Sequence, residues 1–492
     1  MARFAKRAGL LAGGCLTGCL MVAAAGAPAR ADTLRDALVS AYKTNPTLEA
    51  ARAQQRATDE GVPIAKAAGM PSASASGTYT EYLKQSENSF NAPLRTFSAG
   101  ADLGVPIYSG GAVKNRVKAA RIRVGAGQAD LRATEASVFS QVVAAYMDVI
   151  RTEAIVGLNR KNVSVLKTNL DATGDRFEIG NLTRTDVAQS QSRLAVAQSD
   201  LLTAEANLAA ARETYIRLIG TAPGSLEAPP PLPGLPGTAD DASAIALDSN
   251  PDLIGARERT RAAEKDIDVA GASRLPTLRL FGQGSYNNYF NTLARGVPSS
   301  GVTQHDSAAQ AGAQLSIPIF QGGLPAAQRR QAQATASASL EQEIATERDV
   351  IAQVRSAFTS YVASNDLIRS SQVAVDAATL SLEGVRAENS VGRRTILDIL
   401  NAEQELLNAQ VTLVTARRNA YVAGFTLLAA MGKAEARDLN LDGGMLYDPN
   451  VNYERVRGKV FDWDDDDAPV ARSTRTVDTA VQDGKIPDSQ EP

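Results

Sequence analysis

The chain has 492 residues, only 5% of them aromatic, and it is rich in alanine, a composition that suits close helix packing better than a bulky globular core. Its 51 basic and 54 acidic residues nearly balance. Without a net positive field or a basic–aromatic stripe, the sequence does not suggest a nucleic-acid-binding protein.

Residues 1–31 have the order of a secretory signal peptide: basic residues, an apolar run, then a small–x–small site, so we expect cleavage before Asp32. A lipoprotein signal ending at Cys19 is the alternative, but apolar residues continue past it to Ala27. Both cysteines lie in this leader, so the mature chain would have no disulfide and no cysteine metal site. Since the leader carries four basic residues and no acidic one, 47 basic and 54 acidic residues remain, a net charge of −7.

The rest of the chain contains one unit twice, at 32–222 and 240–432, joined by a Pro/Gly-rich linker at 223–239. The sequence "YKTNPTLEAAR" at 42–52 matches "LDSNPDLIGAR" at 247–257. Each copy predicts a short helix, then a second one that begins at Asn-Pro, because Asn caps helices and Pro suits their first position.

A strand pair and a long helical hairpin follow in each copy. We predict the hairpins at about 110–220 and 322–430, since proline is nearly absent there. The predicted strands are 72–84, 96–108, 276–290 and 306–320. The last alternates apolar and polar residues, and its length would span a bilayer in a tilted β-barrel. An antiparallel sheet on a soluble core is the alternative. No uninterrupted apolar segment after the leader is long enough for a transmembrane helix.

A second repeated motif, "VPIYSGG" and "SIPIFQGG", stands where each strand pair meets its long helix. Proline stops a strand ladder and paired glycines allow a sharp turn, so the motif predicts a barrel-to-helix junction. The junction residues are Pro106, Gly110, Gly111, Pro318, Gly322 and Gly323.

The final long helix has two apolar seams. One seam consists of ten positions from Leu397 to Leu428, spaced alternately by three and four residues, and eight of the ten are apolar. A second seam with similar spacing runs from Ile399 to Ala430 and is apolar throughout. Seams on opposite sides imply a neighbour on each side, as in the wall of a tube. A flat stack or a helix bundle is the alternative. Four strands are too few to close a barrel, so the membrane interpretation requires several copies.

The C-terminal segment, 433–492, is acidic. From Asp438 onward it has 13 acidic and 6 basic residues, including "DWDDDD", and we expect a solvated, disordered extension. A role in binding a partner or cations is the alternative. No enzyme is indicated, because His305 is the sole histidine and no nucleophile–base set, metal motif or phosphate loop accompanies it. No cofactor is expected.

Residues 33–432 resemble the TolC family of outer-membrane efflux and secretion ducts. The resemblance rests on the duplicated Asn-Pro helix starts, the two junctions and the paired "IGNLTRTDV" and "VGRRTILDIL" motifs. It implies an α+β membrane protein with two structural repeats per protomer. It further implies a homotrimer with a twelve-stranded β-barrel in the outer membrane, in contact with lipid, which continues as a long periplasmic α-helical barrel.

The resemblance also assigns roles to residues near the hairpin tips. Gly180 and Gly392 would be tip glycines that dock a periplasmic adaptor, with Leu182 and Arg393 beside them.

The gate would lie just beyond the tips. Thr185, Asp186 and Arg394 match an inter-helix latch, in which Asn389 replaces the family's Tyr. Asp398 matches the first of two constriction carboxylates, and Asn401 stands at the second. A ring of three Asp398 carboxylates would attract cations. A solvated outer helix face is the alternative for this residue.

The function implied is a passive exit duct that works with an adaptor and an inner-membrane pump. "TLRDALVSAYKTNP" and "ATDEGVPIAKAAGMPS" are most similar to the branch that serves type I protein secretion, which implies an ABC transporter. Multidrug efflux with a proton-driven pump is the alternative. A periplasmic coiled-coil scaffold without a pore is a third.

Overall fold

A computed structural model describes residues 32–85, 93–293, 301–441 and 446–486. The expected signal peptide, with both cysteines, lies outside the described residues. Within the described ranges, no helix combines the length and the apolar character that crossing a membrane requires.

Ten α-helices and four β-strands make up the described part of the chain. The helices are α1 (Leu34–Thr44), α2 (Pro46–Asp59), α3 (Gly61–Ala67), α4 (Ala112–Glu178), α5 (Arg184–Ile219), α6 (Ala239–Ser249), α7 (Pro251–Gly271), α8 (Leu324–Ser390), α9 (Ile396–Ala430) and α10 (Pro449–Val456). The strands are β1 (Ser72–Glu81), β2 (Arg95–Ser109), β3 (Thr277–Asn288) and β4 (His305–Ser316).

Each repeat begins with a two-way cap at its Asn-Pro pair. The side-chain oxygen of Asn45 accepts two backbone N–H groups in the first turn of α2, at 2.9 and 3.3 Å, and its Nδ2 donates to the Leu218 carbonyl near the end of α5 (2.9 Å). Asn250 caps α7 in the same way and donates to the Ala430 carbonyl at the end of α9 (2.9 Å). One asparagine in each repeat therefore joins a short helix to the end of the long hairpin.

The long helices form two hairpins. α4 and α8 have 67 residues each, so each is about 100 Å long at 1.5 Å per residue. α5 and α9 return alongside them, and α9 packs against both α8 and α4. Both seams of α9 contain buried residues, including Leu400 and Leu407 in the first and Leu413 and Ala416 in the second. α9 thus has neighbours on two sides.

The strands form one antiparallel sheet in the order β1-β2-β3-β4, with β1 and β4 at its edges. None of the strand residues is buried, so the sheet does not cover a soluble core. The register between β2 and β3 shifts between Pro106 and Tyr108. β4 ends at Ser316, four residues before the expected limit, because Pro318 cannot donate to the ladder.

The main core lies where α1, α6 and the ends of α5 and α9 surround the middle of α4. Tyr146, Tyr215 and Phe425 are among its largest fully buried side chains. The Tyr146 hydroxyl lies 2.7 Å from the Glu227 carbonyl and 2.9 Å from the Asp32 carbonyl. It thus ties the linker and the start of the described chain to α4.

The first part of the C-terminal segment is packed, although we expected a disordered extension. Residues 433–441 continue the core, and α10 packs against α2, where Asn452 Nδ2 donates to the buried Asp59 carboxylate (2.7 Å). Further on, Arg212 Nη1 donates to the Asp483 carbonyl (2.9 Å). Residues 433–441 and α10 therefore pack against the rest of the protein, whereas residues 457–486 are largely exposed and contain no helix or strand.

Candidate gate and hairpin tips

Both long helices end in the same glycine turn. Gly180 follows α4 with φ of 81°, and Gly392 follows α8 with φ of 76°, a left-handed conformation that glycine adopts without strain. Their N–H groups donate to the carbonyls of Phe177 and Asn389, at 2.9 Å each. A Cβ at either glycine would meet nothing within 4 Å, so a side chain there would strain the backbone without a clash.

The tips expose apolar side chains that the sequence analysis missed. Ile179 and Val391, each directly before a tip glycine, are 71% and 70% exposed. Of the two residues predicted beside the tips, Leu182 is half-buried and Arg393 is exposed. The equivalent positions of Ile179 and Val391 in the two repeats are the signal that could have identified them.

The two predicted gate carboxylates both close a capping box. The Asp186 N–H donates to Thr183 Oγ1 (3.3 Å) and the Thr183 N–H donates to Asp186 Oδ2 (2.9 Å). Asp398 and Thr395 repeat this arrangement at 3.3 and 2.9 Å. The Thr183 hydroxyl and then its N–H lower the pKa of Asp186, while the Thr395 N–H and then its hydroxyl lower the pKa of Asp398. Each carboxylate therefore helps to start the return helix of its hairpin.

The latch residues Arg394 and Asp186 do not contact each other within the described chain. Arg394 Nε instead donates to Glu388 Oε2 (2.7 Å), and Asn389 Nδ2 donates to the Arg394 carbonyl (2.7 Å). Glu388 lies in the last turn of α8, so the tight tip turn brings it to Arg394, whereas Asp186 belongs to the other hairpin. Thr185 is exposed in the first turn of α5.

Asn401, the second predicted constriction position, contacts the other hairpin. Arg193 Nη2 on α5 donates to Asn401 Oδ1 (2.9 Å). Asp398 lies one turn earlier on α9, so the two positions share a helix face, as their spacing predicts. At Asn401 that face meets the α4–α5 hairpin.

A buried carboxylate that the sequence analysis missed lies just beyond this point. Glu403 on α9 is 6% exposed, and both of its oxygens lie 3.0 Å from Asn169 Nδ2 on α4. Arg386 Nη2 on α8 donates to the same carboxylate at 3.0 Å. We call Glu403, Asn169 and Arg386 the inter-hairpin clamp. Nothing in the sequence pairs these residues, because Glu403 and Asn169 are 234 positions apart.

An apolar cluster lies beside the clamp. Leu166 of α4, Ala197 of α5 and Leu400 of α9 are buried together, with Leu194 and Ile396 packed against them. Polar and apolar contacts thus join the two hairpins near their tips.

The opposite end of each long helix begins at a predicted glycine pair. Gly111 and Gly323 are the N-caps of α4 and α8, with φ of 84° and 83°. Gly110 and Gly322 precede them with φ of 62° and 59°. At Gly110 a Cβ would lie 2.7 Å from the Ala272 carbonyl oxygen, so only glycine fits. These turns redirect the chain from the sheet into the helices.

A sheet with two exposed faces, continuous with helical hairpins about 100 Å long, defines the protomer of a membrane export channel. The chain belongs to the outer membrane efflux protein family, whose sequence profile matches residues 37–221 and 243–433. The resemblance to the TolC family is therefore confirmed, and so is the location in the outer membrane. This family consists of channel proteins, not enzymes.

Three relatives illustrate the similarity. Outer membrane efflux protein BepC of Brucella suis is 32% identical over 437 residues, 89% of this chain and 93% of the relative. Outer membrane protein TolC of Escherichia coli is 27% identical over 483 residues, 94% and 92% of the two chains. Alkaline protease secretion protein AprF of Pseudomonas aeruginosa is 28% identical over 342 residues, 65% and 68% of the two chains.

The fold matches solved structures as well. The CmeC outer membrane channel of Campylobacter jejuni superposes with a TM-score of 0.70 at 18% identity, covering 86% of this chain and 89% of CmeC. The predicted architecture of strands continued by long helices is therefore the fold of known outer-membrane channels.

Proposed function

We propose that three copies of this chain form the exit duct of a tripartite export system, which passively conducts substrate from an inner-membrane pump and a periplasmic adaptor to the exterior. The observation that carries this proposal is the open four-stranded sheet at one end of the long hairpins. An efflux protein of the outer membrane needs a closed path through lipid, and this sheet is the only strand structure in the described chain.

The sheet cannot serve as a membrane element alone. The outer edges of β1 and β4 have no strand partner among the described residues, and unpaired backbone groups cost several kcal/mol each in lipid. Pairing β4 of one copy with β1 of the next satisfies both edges. Three copies then supply twelve strands, an even number in the range of outer-membrane barrels.

We assign adaptor docking to the hairpin tips. Gly180 and Gly392 shape two similar turns, and each turn presents an exposed apolar side chain, Ile179 or Val391. A single exposed apolar residue is ordinary on a protein surface, but here the same exposed position recurs in both repeats, which supports an interaction site. The tips lie at the far end of helices about 100 Å long, where a periplasmic partner could reach them.

We assign the gate to the same end of the hairpins, with Asp398 as its charged group. The Thr395 N–H and hydroxyl lower the pKa of the Asp398 carboxyl, which favours its ionised form. Three such carboxylates around an axis would favour cations. The proposed gate also includes Asn401 at the second constriction position. The latch residues complete it in the same tip region: Asp186, Thr185, Arg394 and Asn389.

Type I protein secretion with an ABC transporter is the pump assignment that we favour. AprF is named as an alkaline protease secretion protein, and it shares 28% identity with this chain. Multidrug efflux with a proton-driven pump is the second candidate, because BepC is named as an efflux protein.

Electron microscopy of the purified protein in detergent tests the duct. We expect a hollow particle of three copies, at least about 100 Å long. A monomer, or a product that is extracted without detergent, would support the coiled-coil scaffold instead.

Deletion of the gene in its own host separates the two pumps. Loss of secreted polypeptides from the medium, with drug susceptibility unchanged and secretion restored by the intact gene, supports type I secretion. Increased drug susceptibility with normal secretion supports efflux.

A further inference from the structure

The sheet has two faces of different chemistry. Successive side chains of a strand point to opposite faces of the sheet. By the register of the four strands, one face carries the odd-numbered residues of β3 together with the even-numbered residues of β1, of β4 and of β2 up to Gly104. This polar face consists mainly of Ser, Thr, Asn, Gln and Gly. The other face, the apolar face, consists mainly of Ala, Gly, Leu, Val and aromatic residues.

One level of the polar face crosses all four strands. Ser74, Asp102, Gln283 and Gln310 are direct register partners from β1 to β4. Gln310 Nε2 donates to Gln283 Oε1 (2.6 Å), and Gln283 Nε2 donates to Asp102 Oδ1 (3.0 Å). We call these four residues the polar belt. Its hydrogen bonds run in one direction, towards the carboxylate, and hold that carboxylate on the polar face.

We propose that Asp102 is a charge-selective residue of the duct, which favours cations inside the sheet-built section and is separate from the gate at the tips. This inference rests on the proposed trimeric duct. When β4 of one copy pairs with β1 of the next, the polar belt closes into a ring with three carboxylates. Lipid takes the apolar face, so the ring faces the lumen.

The other ionisable side chains on the polar face are too far away to cancel this charge. Arg279 lies four residues from Gln283 along β3. Asp306 lies four residues from Gln310 along β4, on the opposite side of the polar belt from Arg279, and accepts a hydrogen bond from Asn287 (2.9 Å). Four strand residues span about 13 Å. The Debye length at physiological ionic strength is about 8 Å, so Asp102 dominates the field at its own level.

The test measures the reactivity of one side chain in the sheet, because the narrow gate at the tips would dominate a measurement of ion flow through the whole channel. The expected mature chain has no cysteine, which makes Ser74→Cys a single reporter next to Asp102. The protein is reconstituted in lipid nanodiscs, and the rates of reaction with a cationic and an anionic membrane-impermeant thiol reagent are compared. The ratio of the two rates removes any effect of the mutations on the thiol itself.

A carboxylate about 7 Å from the thiol should raise the cationic-to-anionic rate ratio by about threefold at 0.15 M salt. Adding Asp102→Asn should remove this preference. Asp306→Asn, a matched loss of charge on the same face, should leave the ratio unchanged. At 1 M salt, where the Debye length is about 3 Å, the parent and Asp102→Asn reporters should converge.

Ala101→Cys checks the assignment of the faces. Ala101 precedes Asp102 in β2 and lies on the apolar face, so a cysteine there should react slowly with both reagents. If Ser74→Cys reacts readily but its ratio is the same with and without Asp102→Asn, the selectivity role is refuted while the duct stands. If Ala101→Cys reacts as fast as Ser74→Cys, the lumenal assignment fails. If no trimer inserts into nanodiscs, the proposed function itself fails.

Discussion

The inter-hairpin clamp predicts how firmly the α8–α9 hairpin is held to α4 near the tips. Glu403→Ala removes a buried carboxylate that accepts hydrogen bonds from Asn169 and Arg386. Hydrogen bonds to charged groups contribute about 1.5–3 kcal/mol each. Arg386 lies on α8, in the same hairpin as Glu403, so only the Asn169 contact crosses to α4, and we use the lower value for it, about 1.5 kcal/mol.

A loss of about 1.5 kcal/mol corresponds to a change of roughly tenfold in the ratio of docked to undocked hairpins. Hydrogen exchange of the purified protein measures this change as faster exchange of backbone amides in the first turns of α9. Single-channel recording should show a higher resting conductance, because the gate lies on the same segment. Glu403→Gln keeps an acceptor for Asn169 and should give a smaller effect.

Glu405→Ala is the matched control, since Glu405 is exposed on the same helix two residues away. It should leave exchange and conductance unchanged. Parent-like exchange and conductance in Glu403→Ala would refute the clamp. Equal effects in both variants would show that helix propensity or net charge, and not the buried contacts, is responsible.

Three further outcomes are expected. Gly180→Leu and Gly392→Leu should abolish transport but keep the trimer, as measured by light scattering, because the left-handed turns would be strained by about 1–2 kcal/mol and the tips reshaped. Normal secretion by both variants would show that the tips do not dock the adaptor. Arg394→Ser should raise the resting conductance less than Glu403→Ala does, because its exposed pair with Glu388 contributes at most about 1 kcal/mol; an equal rise would contradict this ranking. Asn452→Ala should increase proteolysis after α10, and an unchanged digestion rate would show that other contacts anchor the segment.

Local signals explain why much of the fold could be predicted. Asn-Pro pairs, glycine pairs and period-two strands each favour one conformation of adjacent residues. The strand limits, the two Asn-Pro helix starts and the outer ends of the two long hairpins were therefore expected within a few residues. The duplication helped further, because a signal that is weak in one repeat, such as β1, is supported by its equivalent in the other.

Long-range pairing explains what the sequence did not reveal. Glu403 in an exposed-looking helical segment gives no sign of burial until α4 and α8 are packed around it. Arg394 could have paired with any nearby acid, and the tip turn brings Glu388 closest. Burial raises the pKa of the Asp59 carboxyl, although the hydrogen bond from Asn452 on α10 opposes the shift. No property of the acidic tail alone predicts that anchor.

The remaining prediction separates two roles of Asp398, a constriction charge and a helix cap. Asp398→Asn removes both, which makes a change in selectivity ambiguous by itself. Asp186 closes an equivalent capping box on the other hairpin and is assigned to the latch, not to the constriction, so Asp186→Asn is a matched loss of cap and charge.

Selectivity and pH together decide between the two roles. Both carboxyls have a pKa below the ordinary value of 3.8, so the stability that they contribute is present above that pH and is lost as the pH falls through the lower folded-state value. After correction for the intrinsic pH dependence of amide exchange, protection at the starts of α5 and α9 should therefore be high at neutral pH and lower below about pH 4. In the respective Asn variant it should be lower already at neutral pH. Single-channel recordings should show reduced cation preference in Asp398→Asn but not in Asp186→Asn. If both variants lose selectivity equally, loosened helix starts are the cause; if neither does, the charge of the gate lies elsewhere.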